Sequence, residues 1–160
     1  MRLVILMLLT IIMGCSGEGA PATKIELERE TPMSNKAAAD AFMLSNAAKP
    51  DVIQTESGLQ YTIINSGAGS TPVHSDTVAA HYAGRLLDGS EFDSSYSRGE
   101  PLTIPVGGVI KGWTEALLMM KEGDKWTLFI PPELGYGERG AGPIPANSAL
   151  IFDIELVEVK

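Results

Sequence analysis

The sequence predicts an α+β domain over residues 58–160, an antiparallel sheet with one short helix packed on it. Three observations carry that expectation. Strand-like runs recur through the region, only one stretch in it has helical spacing, and nine of the ten aromatic residues of the chain fall there.

The elements before the domain are of different material. Arg2 is the lone charge of the first fifteen residues, and Leu3 to Met13 is apolar at every position but Thr10. That run is too short for a hydrocarbon core that needs about 20 residues, so it reads as a secretory signal. Residues 1–14 form the expected signal, ending at Gly14, and residues 15–30 a tether with little that could pack. Ile12-Met13-Gly14-Cys15 resembles a bacterial lipobox, which implies lipidation of Cys15 and a membrane anchor. Ser16 after the cysteine resembles the sorting signal for the outer membrane, facing the periplasm. Residues 31–57 supply a short helix and a linker. Thr31 is the expected N-cap, Pro32 opens the first turn, and Pro50 stops an alanine-rich spacer helix.

Within the domain, strands are expected at 59–63, 78–86, 102–106, 126–130 and 150–159. In the last, Phe152, Ile154 and Leu156 alternate with Asp153 and Glu155, the period of a half-buried antiparallel strand. Asp88-Gly89 is a turn signal. Trp113, Ala116, Leu117 and Met120 stand at i, i+3, i+4 and i+7, with Gly123 as a stop.

Composition excludes several functions. The chain of 160 residues has 12 Lys+Arg against 20 Asp+Glu, a net charge of −8, so no nucleic acid is expected as partner. One cysteine allows neither an internal disulfide nor a cysteine-rich zinc site, and His74 and His81 are too far apart for a short ligand pair. No metal or cofactor is expected. No Gly-x-Ser-x-Gly elbow occurs, and the glycine-rich run at 135–142 lacks the Lys-Ser/Thr of a phosphate loop. His81, in mid-strand, reads as a packed, hydrogen-bonded histidine. Asp93 before Ser94-Ser95 reads equally as a turn cap or a functional carboxylate.

What remains is apolar and aromatic, with Pro143-Ile144-Pro145 beside it. Val78-Ala79-Ala80-His81-Tyr82-Ala83-Gly84, Asp88-Gly89-Ser90-Glu91-Phe92-Asp93-Ser94-Ser95, Val109-Ile110-Lys111-Gly112-Trp113 and Ile130-Pro131-Pro132-Glu133-Leu134-Gly135-Tyr136-Gly137 resemble the FKBP family of peptidyl-prolyl cis-trans isomerases. Ala149-Leu150-Ile151-Phe152-Asp153-Ile154-Glu155-Leu156 continues the match, in family order. Thr55-Glu56-Ser57-Gly58-Leu59-Gln60-Tyr61 looks most like the macrophage-infectivity-potentiator branch. That branch usually carries a longer helical dimerisation region than residues 16–57 could form, so a monomer is expected.

The resemblance implies a twisted antiparallel sheet wrapped around one short helix, with a pocket between them. Carried over, the catalytic set is Tyr82, Phe92, Asp93, Trp113, Tyr136 and Phe152, and Arg98, Leu102, Val109, Ile110 and Ile144 bind substrate. The tryptophan would floor the pocket; the Ile110 N–H and the Tyr136 hydroxyl would donate to carbonyls. Leu102 stands where the family often has phenylalanine, which lowers one wall. The implied partners are proline-containing polypeptide segments and macrolide inhibitors of the rapamycin type. A non-catalytic FKBP-like module that only holds such segments is the alternative left open by the residues.

Overall fold

The structure, a computed structural model, describes residues 32–160. The lipobox with Cys15, the tether and the Thr31 N-cap lie outside the described residues. Helix α1 spans Pro32–Ala47, and strands β1 Ile53–Gln54, β2 Gln60–Asn65, β3 Thr77–Arg85, β4 Glu91–Ser94 and β5 Leu102–Pro105 follow. Helix α2, Lys111–Leu117, precedes β6, Lys125–Ile130, and β7, Leu150–Val159.

All strands pair antiparallel in one sheet of order β1-β2-β6-β7-β3-β4, with β5 also on β3. β3 is therefore interior, flanked by β7 on one side and by β4 and β5, end to end, on the other. Its burial explains its composition: Val78, Ala80 and Tyr82 face the core, while small Ala79 and Ala83 occupy the second face. β6 and β7 follow the two-residue period. Trp126, Leu128 and Ile130, then Phe152, Ile154 and Leu156, point inward, and Asp153 and Glu155 point out. The inward residues meet Trp113, Ala116 and Leu117 of α2 in one apolar cluster. Each fully buried aliphatic side chain there contributes about 1.5–3 kcal/mol.

Three elements differ from the sequence expectation. β1, expected as linker, pairs with β2 at the edge of the sheet. β4 was not expected as a strand, because Phe92 is its only large apolar residue; pairing with β3 holds it, across a register shift at Gly84/Arg85. Helix α2 ends at Leu117, short of the apolar stripe, yet Met120 is still fully buried because its N–H bonds Ala116 O in the following turn.

Helix α1 corrects the expectation of a free spacer. It ends before Pro50, whose predecessor disfavours helix. Asn35, Ala39 and Asn46 form its buried stripe. Phe42 packs on Phe129 with ring centroids 5.9 Å apart, and Asn46 Nδ2 donates to Gln60 Oε1 at 2.9 Å. Gln60 Nε2 in turn donates to Met43 O at 2.9 Å and to Gln54 Oε1 at 3.1 Å. Gln60 and Phe129 alternate with Tyr61 and Leu128, which face the core, so α1 covers the outer face of β2 and β6. No described helix is long and apolar enough to cross a membrane.

Candidate functional site

A cavity of about 710 Å³ opens between α2 and the sheet. Five elements and two connections aim side chains into it. Tyr82 comes from the core face of β3, Phe92 and Asp93 from β4, Leu102 and Ile104 from β5, and Phe152 from β7. Val109 and Ile110 lead into α2, Trp113 sits on its first turn, and Tyr136 and Ile144 come from the long connection between β6 and β7. Ten of the eleven expected pocket residues thus line one cavity.

Trp113 is 4 % exposed and forms the floor. Its ring meets Tyr82 at 5.1 Å and 83°, and Phe152 at 5.3 Å and 85°. Phe92 meets Phe152 at 5.5 Å and 82°. These edge-to-face contacts, each worth about 0.5–1.5 kcal/mol beyond burial, make a rigid aromatic chain. The indole Nε1 is buried without a hydrogen-bond partner among the described residues.

At the rim, Tyr82 OH donates to Asp93 Oδ2, while Arg98 donates to Asp93 Oδ1 at 2.7 Å and to the Tyr82 hydroxyl oxygen at 2.9 Å. The guanidinium also lies 5.5 Å over the Tyr82 ring. Arg98, which the resemblance implies both as a substrate-binding residue and as a partner of Asp93 and Tyr82 at the rim, does not line the cavity; it stands behind the rim, half exposed, bonded to both. Asp93 lies in a strand and bonds side chains, so its reading as a turn cap does not hold. Burial pushes the Asp93 carboxyl up, but the hydrogen bonds from Tyr82 and Arg98 and the guanidinium charge outweigh it and hold the group below its ordinary value. Burial, then the Asp93 bond, raises the Tyr82 phenol, so it stays protonated at neutral pH.

Ile110 ends the turn before α2. Its carbonyl accepts from Trp113 at 3.0 Å and Thr114 at 3.1 Å, and no described main-chain acceptor takes its N–H. Tyr136 stands between two short 3-10 turns, Pro132–Leu134 and Gly137–Arg139, with 39 % of its surface exposed at the cavity mouth. Ile144 closes a hairpin whose tip, Gly142-Pro143, also lines the cavity. His81 lies outside the pocket, half-buried, with Nδ1 3.0 Å from Ser95 Oγ and its ring stacked on Tyr96.

Sequence reasoning missed Ile104, Gly108, Ala141, Gly142 and Pro143. Ile104 was findable, because it shares a strand face with Leu102 two residues before it. Gly84 was quoted for the resemblance and given no role; a Cβ there would lie 2.6–2.7 Å from Phe152 and Phe92, so its missing side chain is what lets both rings meet. Among the described residues no group of three or more His, Cys, Asp and Glu is placed to hold a metal ion.

Residues 69–157 match the model of the FKBP-type peptidyl-prolyl cis-trans isomerase family, and residues 20–63 that of the domain amino-terminal to it. The FKBP-type 22 kDa peptidyl-prolyl cis-trans isomerase of Escherichia coli strain K12 is 55 % identical over 119 residues, covering 74 % of this chain and 58 % of that protein. The outer membrane protein MIP of Legionella longbeachae is 50 % identical, over 79 % of this chain and 54 % of its own length. The chain spans about half the length of the curated relatives it matches. The crystal structure of FkpA from Escherichia coli superposes with a TM-score of 0.78 at 46 % identity, covering 81 % of this chain and 61 % of that one. A peptidyl-prolyl cis-trans isomerase from Pseudomonas syringae pv. tomato gives 0.75 at 36 % identity, covering 90 % and 99 %.

Proposed function

The chain belongs to the FKBP-type peptidyl-prolyl cis-trans isomerase family, and we propose that its cavity accelerates rotation about X–Pro bonds in polypeptides of a bacterial cell envelope. The observation that carries this reading is the box of edge-to-face rings over Trp113, apolar inside and polar only at the rim. An X–Pro amide resists rotation because resonance gives its C–N bond double-bond character, with a barrier of about 18–20 kcal/mol. The planar forms are the more charge-separated and are the better stabilised by water. An apolar box removes that water, and the twisted amide, having lost conjugation, loses least. A site that binds the twisted form better than either planar form lowers the barrier without a nucleophile or a proton transfer.

In this reading the proline ring rests on Trp113 between Phe152 and Ile144. Phe92, Leu102 and Val109 wall the side chain before it, and the Ile110 N–H and Tyr136 hydroxyl donate to carbonyls at the mouth. Tyr82 and Asp93 form the rim, with Arg98 bracing them from outside. The same donor pair and floor support inhibition by macrolides of the rapamycin type. The folded unit is residues 58–160 with α1 docked on it, acting as a monomer. A lipid anchor at Cys15 would hold it to the outer membrane on the periplasmic side, with residues 15–30 as tether.

The test is the cis-trans exchange rate of an Ala-Leu-Pro-Phe peptide with the full chain. Uncatalysed exchange takes tens to hundreds of seconds, so acceleration is plain to see. Macrolide binding with no acceleration would leave a binding module rather than an enzyme.

A further inference from the structure

We propose that Asn35 of α1 is a positioning residue for the Ile144 wall of the pocket, an inference that rests on the pocket being the proline site. The wall is a two-residue hairpin. Ala141 and Ile144 exchange N–H to carbonyl bonds of 2.9 Å each, and Gly142, at φ 53°, turns the tip. Ile144 packs in the same apolar cluster as Trp113, and the base of the hairpin sets the direction from which it does so.

Three bonds at the base bear on this. Asn147 N–H donates to Gly137 O at 2.8 Å, Ser148 Oγ donates to Pro145 O at 2.9 Å, and Asn35 Nδ2 donates to Ala146 O at 3.0 Å. The first two come from the same connection between β6 and β7 and move with it. Asn35 comes from outside, from a helix fastened separately to the sheet through Phe42 and Asn46, and Lys36 of the same helix reaches Glu133 near the start of the connection at 3.3 Å. Asn35 ties the wall to the sheet.

The residue type supports a specific role. Asparagine is a mediocre helix former, and a buried amide is costly unless bonded, so packing alone would favour an apolar side chain at this position. Asn35 is 9 % exposed. A cleft of about 70 Å³ beside it, lined by Ala38, Leu86, Leu87 and Ser148 among others, leaves the base of the hairpin room to shift once the bond is lost. Asn46 provides the internal comparison, since it lies on the same stripe, fully buried, but bonds Gln60 on β2 instead of the hairpin base.

The experiment compares Asn35→Ala, Asn35→Asp and Asn46→Ala in the full chain, each assayed well below its own melting temperature. The aspartate keeps the shape and presents no donor to the carbonyl at neutral pH. Both Asn35 variants are expected to lower kcat/KM about two- to tenfold, the worth of one hydrogen bond, and to speed amide hydrogen exchange at Ile144. Asn46→Ala is expected to lower the melting temperature with kcat/KM and Ile144 exchange at wild-type values. Unchanged kcat/KM in Asn35→Ala and Asn35→Asp overturns the proposal, as does an equal loss in Asn46→Ala, which would make helix docking as a whole responsible. Should wild type itself show no isomerase activity, the functional reading falls, and Ile144 exchange decides the tether by itself.

Discussion

Replacing Gly84 by alanine adds one methyl group at the most crowded point of the pocket wall. Gly84 lies in β3 opposite Phe152 of β7 and Asp93 of β4, and its backbone suits any residue, so the only obstacle is space. The new Cβ would stand 2.6 Å from Phe152 Cε1 and 2.7 Å from Phe92 Cε2 and Cζ, where ordinary contact begins at 3.4 Å. Each ring must yield most of an ångström. Phe152 is backed by Trp113 at 5.3 Å and Tyr82 at 6.3 Å, so relief lies only toward the cavity. Overpacking of this kind costs about 1–3 kcal/mol, or roughly 5–15 °C in Tm for a domain of this size. The displaced rings also narrow the box, and a misplacement of that order costs about 10- to 100-fold in kcat/KM. Thermal unfolding followed by circular dichroism, with the peptide exchange assay on the folded variant, reads both. A Gly84→Ala protein with wild-type Tm and kcat/KM within twofold would show that the two rings do not depend on this gap.

Three further outcomes are expected, two at the site and one at the amino-terminal cysteine. Tyr136→Phe removes one donor at a half-exposed position and is expected to reduce kcat/KM about two- to tenfold without changing Tm, measured by peptide exchange and calorimetry. Asp93→Asn tests the rim through its pH dependence. The folded carboxyl is held below its ordinary value, so its contribution to stability is complete above about pH 4–5 and is lost as pH falls through the depressed value. The stability difference between wild type and variant is therefore flat from about pH 5 to 8 and shrinks below about pH 4; a difference that grows on acidification contradicts the assignment. Cys15→Ser is expected to leave precursor unprocessed or the protein mislocalised, as read by membrane fractionation, with the domain's circular dichroism unchanged; unaltered processing and membrane retention would remove the anchor.

The legible part of the fold was the part in which burial repeats along the chain. β6 and β7 each bury one face, so alternation in the sequence announces them. β4 offers a single apolar residue, and its strand conformation is imposed by β3, a tertiary effect invisible to local pattern. The pocket was legible through its aromatics and its family resemblance; Ile104 could be read from the strand face it shares with Leu102, while Ala141 and Gly142 carry no side-chain chemistry to mark them. Arg98 is the instructive case. The resemblance implies contact with substrate, yet Nη1 donates to Asp93 and Nη2 to Tyr82.

Helix α1 was the hardest element to place, for a physical reason. Its buried stripe carries two asparagines and an alanine, so the apolar periodicity that normally reports docking is nearly absent. Beyond Phe42 on Phe129, the attachment is polar and paired: Asn46 with Gln60, Asn35 with the Ala146 carbonyl, Lys36 with Glu133. Such bonds have no signature in one sequence, because each half is an ordinary surface residue until the other is beside it. They also explain why the helix can be fastened firmly without a large apolar face, which would be a liability if α1 ever left the sheet. The consequence reaches the pocket. An element that composition marks as a spacer contacts the base of one pocket wall, while the opposite walls are set by the close approach of Gly84 to Phe92 and Phe152. Discrimination between planar and twisted amides requires walls that do not follow the substrate as it turns. On one side that rigidity comes from ring packing; on the other Ile144 packs in the core cluster, and the proposed tie is the Asn35–Ala146 bond spanning 111 residues.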